Sequence, residues 1–373
     1  MGNITDDIRQ HFDTFAELPF TEADSLALSQ LAYARMPDNV PRYHENAETA
    51  DGMIATVPIH DLLRAECYDD MFGKVWSPSM NVDLLRAMSE SPRWRNLRVG
   101  AYVDEFDAET TKQFSACVFE LGNGTLYVAF RGTDSSIVGW KEDFMMAFRR
   151  PVASQEAAAR YLTELAGHWA GPIMVGGHSK GGNLAVYAAA NVPSEIQERI
   201  TVVYSHDGPG FDEVFFDEDG YVRIASKIHK SVPGSSIIGM LFETREHVED
   251  GYTAVSSDGA SIMQHFALHW QVDHGQFVQA DGLTGSAQYL ARTINGWMAK
   301  YDDEHRRKFI ENLFAIFEAG GYDTFGDLTS HLTQSLPVML AAARNIDVED
   351  RDVMIEVLKG FAATAAASVI LAK

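Results

Sequence analysis

The most informative stretch of the sequence is Gly176-Gly177-His178-Ser179-Lys180-Gly181-Gly182. An apolar run precedes it and a run of good helix formers follows. This strand, sharp turn and helix are the context in which the pattern G-x-S-x-G places a serine on a strained turn. Gly177 and Gly181 stand two residues on either side of Ser179, where a Cβ would collide between strand and helix. Together with His178 they form the predicted turn, and Ser179 is the predicted nucleophile.

The composition excludes several classes of protein. With 373 residues, 46% hydrophobic and 22% charged, the chain is an ordinary globular protein able to hold one elaborated domain or two. A formal net charge of -23 argues against nucleic-acid partners, which require clustered Lys and Arg, and against electrostatic docking on anionic membranes. Cys67 and Cys117 are too few for a disulfide scaffold. Without a visible secretory signal or spanning segment, a cytoplasmic protein is expected.

Apolar strands alternate with helical stretches through the middle of the chain. The predicted strands are 97–106, 113–121, 125–130, 173–176, 201–205, 225–232 and 252–256, and the predicted helices are 155–169 and 181–191. Another helix is predicted to begin at Thr21. This alternation indicates an α/β fold with a mostly parallel central sheet and helices on both faces. We expect one domain, 1–373, with a mostly helical segment 1–97, a sheet core 98–285 and a helical extension 286–373.

A serine hydroxyl needs a histidine to accept its proton and an acid to orient that histidine. When a serine occupies such a turn, the chain order is serine, acid, histidine. His265 follows the last predicted strand through a loop, where this kind of fold presents its base. It is the predicted base, and His269 is the second choice.

The predicted acid is Asp207, which ends one strand and precedes the rigid turn Gly208-Pro209-Gly210. Active-site groups collect at the carboxyl edge of a parallel sheet. An aspartate that merely stabilises this turn is the competing interpretation. The other carboxylates left open as acids are Asp212, Glu243, Asp250 and Asp258.

Acyl transfer also needs two N–H donors aimed at the developing oxyanion. One would be the backbone N–H of Lys180, and the other would come from Thr133, which offers both a backbone N–H and a hydroxyl. Asp143 is expected to pair with Arg131 and to hold the Thr133 loop, a structural role. Residues 144–151 are apolar with a basic end, and are either a lid over an acyl pocket or a core-facing turn.

These motifs resemble a known family. The stretch Phe130-Arg131-Gly132-Thr133, with Trp140 and Asp143 downstream, and the stretch around Ser179 resemble the class 3 (fungal-type) lipases of the α/β-hydrolase superfamily. Further segments are similar to its bacterial Mbeg-like branch, namely 20–33, 207–211, 264–265 and 270–272. The resemblance spans nearly the whole chain. It implies an α/β-hydrolase fold, Ser179 as nucleophile, His265 as base, and Thr133 with Lys180 in the oxyanion hole.

One departure from the class 3 pattern concerns the acid. Class 3 lipases carry it in a segment comparable to 230–239, which contains no carboxylate here. Either the acid has moved one strand earlier, to Asp207, or the triad is incomplete. We favour the first interpretation.

The expected function is cleavage of carboxylic esters through an acyl-enzyme on Ser179, with a small-molecule or lipid ester as substrate. The alternatives are a non-catalytic binding protein that keeps the fold, or a thioesterase or peptidase that uses the same site. No cofactor or metal is expected, because the spacing of His265 and His269 lacks the Glu of H-E-x-x-H. The sequence leaves the oligomeric state open.

Overall fold

The computed structural model describes residues 2–43, 54–242, 251–259, 261–324, 327 and 331–342. In these residues the strands are β1 Gly2–Asn3, β2 Thr56–Pro58, β3 Arg98–Asp107, β4 Lys112–Glu120, β5 Leu126–Phe130, β6 Ile173–His178, β7 Ile200–His206, β8 Ile228–Pro233, β9 Thr253–Val255, β10 Gln271–Asp273 and β11 Gln276–Phe277. The helices are α1 Ile4–Gln10, α2 Glu22–Leu31, α3 Tyr68–Phe72, α4 Pro78–Glu90, α5 Ile137–Met145, α6 Ala153–Gly167, α7 Lys180–Asn191, α8 Ser194–Arg199, α9 Asp219–Ile224, α10 Gly285–Lys300, α11 Asp303–Ala319 and α12 Leu332–Ala342.

Eight strands form the central sheet, in the order β2-β3-β4-β5-β6-β7-β8-β9. From β2 to β5 neighbouring strands run antiparallel, and from β5 to β9 they run parallel. A separate small sheet has the order β1-β10-β11. The expected mostly parallel sheet is confirmed, because four of its seven strand pairs are parallel.

One predicted strand begins too early. Residues 225–227 form a 3₁₀ turn, so β8 begins only at Ile228. The segment 252–256 contains β9, the last strand of the central sheet as expected, but the β10–β11 hairpin of the small sheet follows it and was not predicted. The other predicted strands are present, with ends displaced by one or two residues.

Side chains alternate between the two faces of the sheet, as extended backbone requires. On β5, Tyr127 and Ala129 enter a core with residues of α2 and α4, whereas Leu126, Val128 and Phe130 enter a second core with α6 and α7. Helices therefore cover both faces, which is the α/β-hydrolase arrangement expected from the sequence. Strand β5 is apolar throughout because it is buried on both faces.

Helix α2 begins where the sequence predicts. The Thr21 hydroxyl accepts the backbone N–H of Asp24, and the Asp24 carboxylate accepts the N–H of Thr21, so each satisfies a donor at the helix start. Arg93 lies 2.5 Å from Asp24 and holds this buried helix end against the segment after α4.

The helices after the sheet pack against α5. One face of α11 is buried with Ile137, and its buried residues are Phe309, Ile310, Leu313, Phe314, Ile316 and Phe317. Phe144 and Phe148 pack on this cluster, with the rings of Phe144 and Phe314 at 5.5 Å. The apolar part of the segment 144–151 thus packs against α11, as the core-facing interpretation requires, whereas Arg150 at its basic end pairs with Asp212 and Glu218. In the described residues, none of the helices combines the length and apolar character that crossing a membrane requires.

Candidate active site

Ser179 occupies the sharp turn between β6 and α7. Its backbone has φ 58° and ψ -132°, a conformation that residues other than glycine rarely adopt. A Cβ on Gly177 would lie 2.2 Å from the carbonyl carbon of Gly181, and one on Gly181 would lie 2.1 Å from the backbone oxygen of Phe130. Both glycines are therefore required by the close approach of strand and helix, and they permit the strained backbone at Ser179.

Asp207 and His265 are in direct contact. Asp207 Oδ2 lies 2.6 Å from His265 Nδ1, and the aspartate is fully buried while the histidine is 9% exposed. Asp207 Oδ1 also accepts hydrogen bonds from the Ser236 hydroxyl and from the Gly239 backbone N–H, the latter at 3.1 Å. Because a carboxylate only accepts, Nδ1 of His265 carries the proton, and its Nε2 is left with a lone pair.

His178, just before Ser179, links the turn to the loop of His265. Its Nε2 lies 2.7 Å from the His265 carbonyl oxygen, and the two rings are 4.6 Å apart. Since a carbonyl only accepts, His178 is protonated at Nε2, and its Nδ1 accepts from the Tyr33 hydroxyl at 3.0 Å. Burial lowers the pKa of His178 to about 3, so the ring is neutral.

Ser179 directly precedes α7, but its hydroxyl accepts no hydrogen bond from the backbone N–H groups at the start of that helix. Among the described residues no hydrogen bond joins it to His265. In resting active sites such contacts are often long and shorten only when substrate binds. The structure therefore brings the predicted acid and base together and sets the serine turn beside them.

The other candidate acids and the second candidate base have different partners. Asp212 pairs with Arg150 at 2.5 Å, and Asp258 is exposed at the surface. His269 donates from Nδ1 to a backbone carbonyl at 2.9 Å. Glu243 and Asp250 lie outside the described residues.

The two predicted oxyanion donors come from different elements. Lys180 is the first residue of α7, where backbone N–H groups have no partner within the helix. Thr133 follows β5, and its hydroxyl donates to Asp143 Oδ2 at 2.5 Å. Since Asp143 takes the hydroxyl hydrogen, the group that Thr133 can offer an oxyanion is its backbone N–H.

The expected pairing of Asp143 with Arg131 was wrong. Arg131 turns instead to Asp104 on β3, with Arg131 Nη2 and Asp104 Oδ1 3.0 Å apart. Asp143 lies on α5 and faces Thr133 and Lys180. The error arose because Asp104 and Arg131 meet across the sheet, a contact that spacing along the chain does not reveal.

The side chain of Lys180 makes a buried ion pair that sequence reasoning missed. Its Nζ lies 3.0 Å from Glu142 Oε2 and donates to the Gln113 carbonyl at 3.0 Å. Glu142 also accepts the backbone N–H groups of Gln113 and Ser154, at 3.0 and 2.9 Å. One carboxylate thus connects β4, α5, α6 and α7 beneath the turn. The available signal in the sequence was a lysine at the start of a helix that is otherwise uncharged.

Asp143 belongs to the same cluster. Its Oδ1 lies 3.6 Å from Lys180 Nζ and, among the described residues, has no hydrogen-bond partner. Burial raises the pKa of Asp143 to about 6, although Lys180 and the Thr133 hydroxyl act in the opposite direction. The loop that carries Thr133 is therefore held by a carboxylate whose pKa burial raises above its ordinary value.

The chain is similar in structure to several solved lipases, at a sequence identity of 15–16%. A triacylglycerol lipase described as having a serine protease triad is 16% identical, with 61% of this chain and 74% of that chain covered and a TM-score of 0.35. M37 lipase is 16% identical, with 76% and 82% covered and a TM-score of 0.38. A Rhizomucor miehei lipase propeptide complex is 15% identical, with 68% and 95% covered and a TM-score of 0.33. No curated protein matches the chain.

A family model supplies the assignment. The Mbeg1-like model matches residues 88–315, which include Thr133, Ser179, Asp207 and His265. Because this match covers more than half of the chain, the protein belongs to the Mbeg1-like family.

Proposed function

We propose that the protein is a serine hydrolase that cleaves carboxylic esters through an acyl-enzyme on Ser179. The observation that carries this proposal is the contact of 2.6 Å between Asp207 and His265 beside a serine on a strained turn. A buried aspartate that fixes the Nδ1–H tautomer of a histidine leaves Nε2 available as a general base. We therefore assign Ser179 as nucleophile, His265 as base and Asp207 as orienting acid.

In the proposed acylation, the Ser179 hydroxyl oxygen attacks the ester carbonyl carbon while His265 Nε2 takes the hydroxyl proton. Asp207 stabilises the imidazolium that forms and remains ionised. As the tetrahedral intermediate collapses, the bond to the alcohol oxygen breaks and His265 returns the proton to that oxygen. Water then attacks the acyl-enzyme with His265 again as base, which releases the acid and restores Ser179.

Two backbone N–H groups are proposed to stabilise the oxyanion, those of Lys180 and Thr133. The Lys180 N–H lies at the start of the 12-residue helix α7, whose positive dipole end favours developing negative charge. The buried ion pair between the Lys180 side chain and Glu142 holds Lys180, and with it this backbone N–H, in position. The hydrogen bond from Thr133 to Asp143 fixes the second donor.

Two aromatic side chains beside the proposed base favour an ester with an apolar acyl group as substrate. The rings of Trp76 and Phe266 lie 5.2 Å apart, and Phe266 directly follows the proposed base. The hydroxyl of Ser135, in the loop after Thr133, donates to the Lys74 carbonyl at 3.1 Å and so joins the Trp76 segment to the oxyanion side. The substrate class proposed is a small-molecule or lipid ester with an apolar acyl group.

The test is hydrolysis of p-nitrophenyl esters from short to long acyl chains, by the wild type, by Ser179→Ala and by the control Ser194→Ala. Ser194 is exposed at the start of α8. We expect turnover by the wild type and the control, and a loss of at least about 10³-fold in kcat for Ser179→Ala. Equal activity in Ser179→Ala would contradict the proposal. A folded wild type inactive on oxyesters and thioesters would favour the binding-protein alternative.

A further inference from the structure

A second cluster of reactive side chains lies where the end of α1 meets the β10–β11 hairpin. His11, Asp273 and His274 each offer one ligand atom, and these atoms all lie within 4.8 Å of one another. The rings of His11 and His274 are 3.9 Å apart. We propose that these three side chains bind a divalent transition-metal ion, with Zn²⁺ as the best match.

The chemical types of the three ligands favour zinc. Two imidazoles and one carboxylate are a common zinc set, whereas Mg²⁺ and Ca²⁺ prefer oxygen ligands alone. Tetrahedral bonds of about 2.0–2.2 Å place ligand atoms about 3.3 Å apart, so ligand atoms that lie up to 4.8 Å apart must close by up to about 1.5 Å. The side chains of His274 and Asp273 are 74% and 55% exposed, so solvent leaves room for this movement, and they already lie together, with His274 Nδ1 3.2 Å from Asp273 Oδ1. The fourth position faces solvent and would hold water.

His11 is oriented by a carboxylate outside the ligand set. Its Nδ1 lies 2.7 Å from Asp7 Oδ1, one helical turn earlier. This pairing places the proton on Nδ1 and leaves Nε2 as the nitrogen with a free lone pair. Metal-binding histidines commonly donate their other ring N–H to a carboxylate in this way, which fixes the tautomer and raises ligand basicity.

The same carboxylate holds the hairpin that carries the other two ligands. The Gly275 backbone N–H donates to Asp7, with distances of 3.1 and 3.3 Å to its two oxygens. His274 and Gly275 have φ of 51° and 70° and form the two-residue turn between β10 and β11. Positive φ at both positions is the hairpin geometry that matches the twist of the strands. Asp7 therefore sets both halves of the proposed site before a metal arrives.

A bound ion would fasten the start of the chain to the segment that follows the proposed base. Strand β1 already pairs with β10, with Gly2 opposite Val272. Trp270, just before β10, donates its indole N–H to the Gln264 carbonyl at 2.9 Å, next to His265. The metal is thus assigned a structural role at this junction. Its binding does not depend on Ser179 or on any hydrolytic activity.

The experiment is calorimetric titration of the metal-free, untagged full-length protein with Zn²⁺. We expect one site in the wild type, and a loss of at least about tenfold in affinity for His11→Ala and for His274→Ala. Asp7→Asn should weaken binding by about tenfold, the usual effect of removing an outer carboxylate. The matched control His168→Ala removes an exposed histidine at the end of α6 and should bind as the wild type does.

A second measurement separates metal binding from folding defects. Zn²⁺ should raise the melting temperature of the wild type and of Ser179→Ala equally, and should not raise that of His274→Ala. Absence of a binding step in the wild type would overturn the proposal. Wild-type affinity in both His11→Ala and His274→Ala would also overturn it, because the ion would then bind elsewhere.

Discussion

Asp207 Oδ2 lies 2.6 Å from His265 Nδ1, although 58 residues separate them in the chain. The resemblance to class 3 lipases places the acid in the segment 230–239. That segment instead supplies the Ser236 hydroxyl and the Gly239 N–H, both of which donate to Asp207. On the proposed mechanism, the acid sits at the end of β7, and the loop after β8 has become its support.

Asp207→Asn should lower kcat by about 10⁴-fold with little change in KM, because an amide cannot hold His265 in the required tautomer. The measurement is steady-state ester hydrolysis, with circular dichroism as a check on folding. Asp258→Asn, which alters an exposed carboxylate in the loop after β9, is the matched control and should retain wild-type kcat. A loss of less than about tenfold in folded Asp207→Asn would refute the acid assignment.

Gly181→Ala should destabilise the fold by about 1–3 kcal/mol, since the new methyl would lie 2.1 Å from the Phe130 backbone oxygen and the strand must move. The shift displaces the Lys180 N–H, so kcat/KM should fall at least about tenfold. Gly167→Ala is the control, because a Cβ there has no atom within 4 Å and α6 gains a better helix former. Urea unfolding of both variants measures their free energies of unfolding. Equal values for Gly181→Ala and Gly167→Ala would contradict the prediction.

Lys180→Met should cost about 3–5 kcal/mol of unfolding free energy, because it leaves the buried carboxylates of Glu142 and Asp143 without their cation. Lys141→Met is the matched control. Lys141 pairs with Glu318 near the surface, and its loss should cost at most about 1 kcal/mol. Chemical denaturation of the two variants makes the comparison. A Lys180→Met protein as stable as the control would show that the buried pair does not hold the turn.

His206 makes stability fall in acid. It is buried between the hydroxyls of Ser25 and Ser231, at 2.8 and 2.7 Å, and burial lowers its pKa to about 3. A lowered pKa gives stability that is complete above the unfolded value of 6.5 and is lost as pH falls toward 3. Between pH 7.5 and pH 5 this histidine alone should account for a loss of about 2 kcal/mol.

The variant His206→Phe removes this titration and should flatten the pH dependence of the unfolding free energy by about 2 kcal/mol over that range. It loses two hydrogen bonds, so its stability near neutral pH is lower than that of the wild type, and the informative quantity is the slope of unfolding free energy against pH. His168→Ala should keep the wild-type slope. An unchanged slope in His206→Phe would show that the pKa of His206 in the folded protein is not lowered.

The sequence was most informative where local chemistry determines structure. The glycines around Ser179 predicted the strand, turn and helix, and Thr21 predicted the start of α2, since each signal lies within a few residues of its effect. Asp207 and His265 were predicted from the chain order after Ser179 and from their places after strands at the carboxyl edge of the sheet, and the structure brings these two side chains into contact. Their catalytic roles remain a proposal.

The remaining contacts depend on how distant segments meet. Arg131 has acidic residues nearby in sequence, yet its partner is Asp104, because β3 and β5 flank β4 in the sheet. The pair of Lys180 with Glu142 likewise joins α7 to α5. The β10–β11 hairpin was missed because its strands are only three and two residues long, too short to show an alternating pattern.

An activated Ser179 should react with a fluorophosphonate probe. Covalent labelling of the folded full-length protein, read by intact mass and peptide mapping, measures this reaction. We expect one label on Ser179 in the wild type, none in Ser179→Ala, and strongly slowed labelling in Asp207→Asn. A folded wild type that stays unlabelled, or a label that persists in Ser179→Ala, would contradict this expectation.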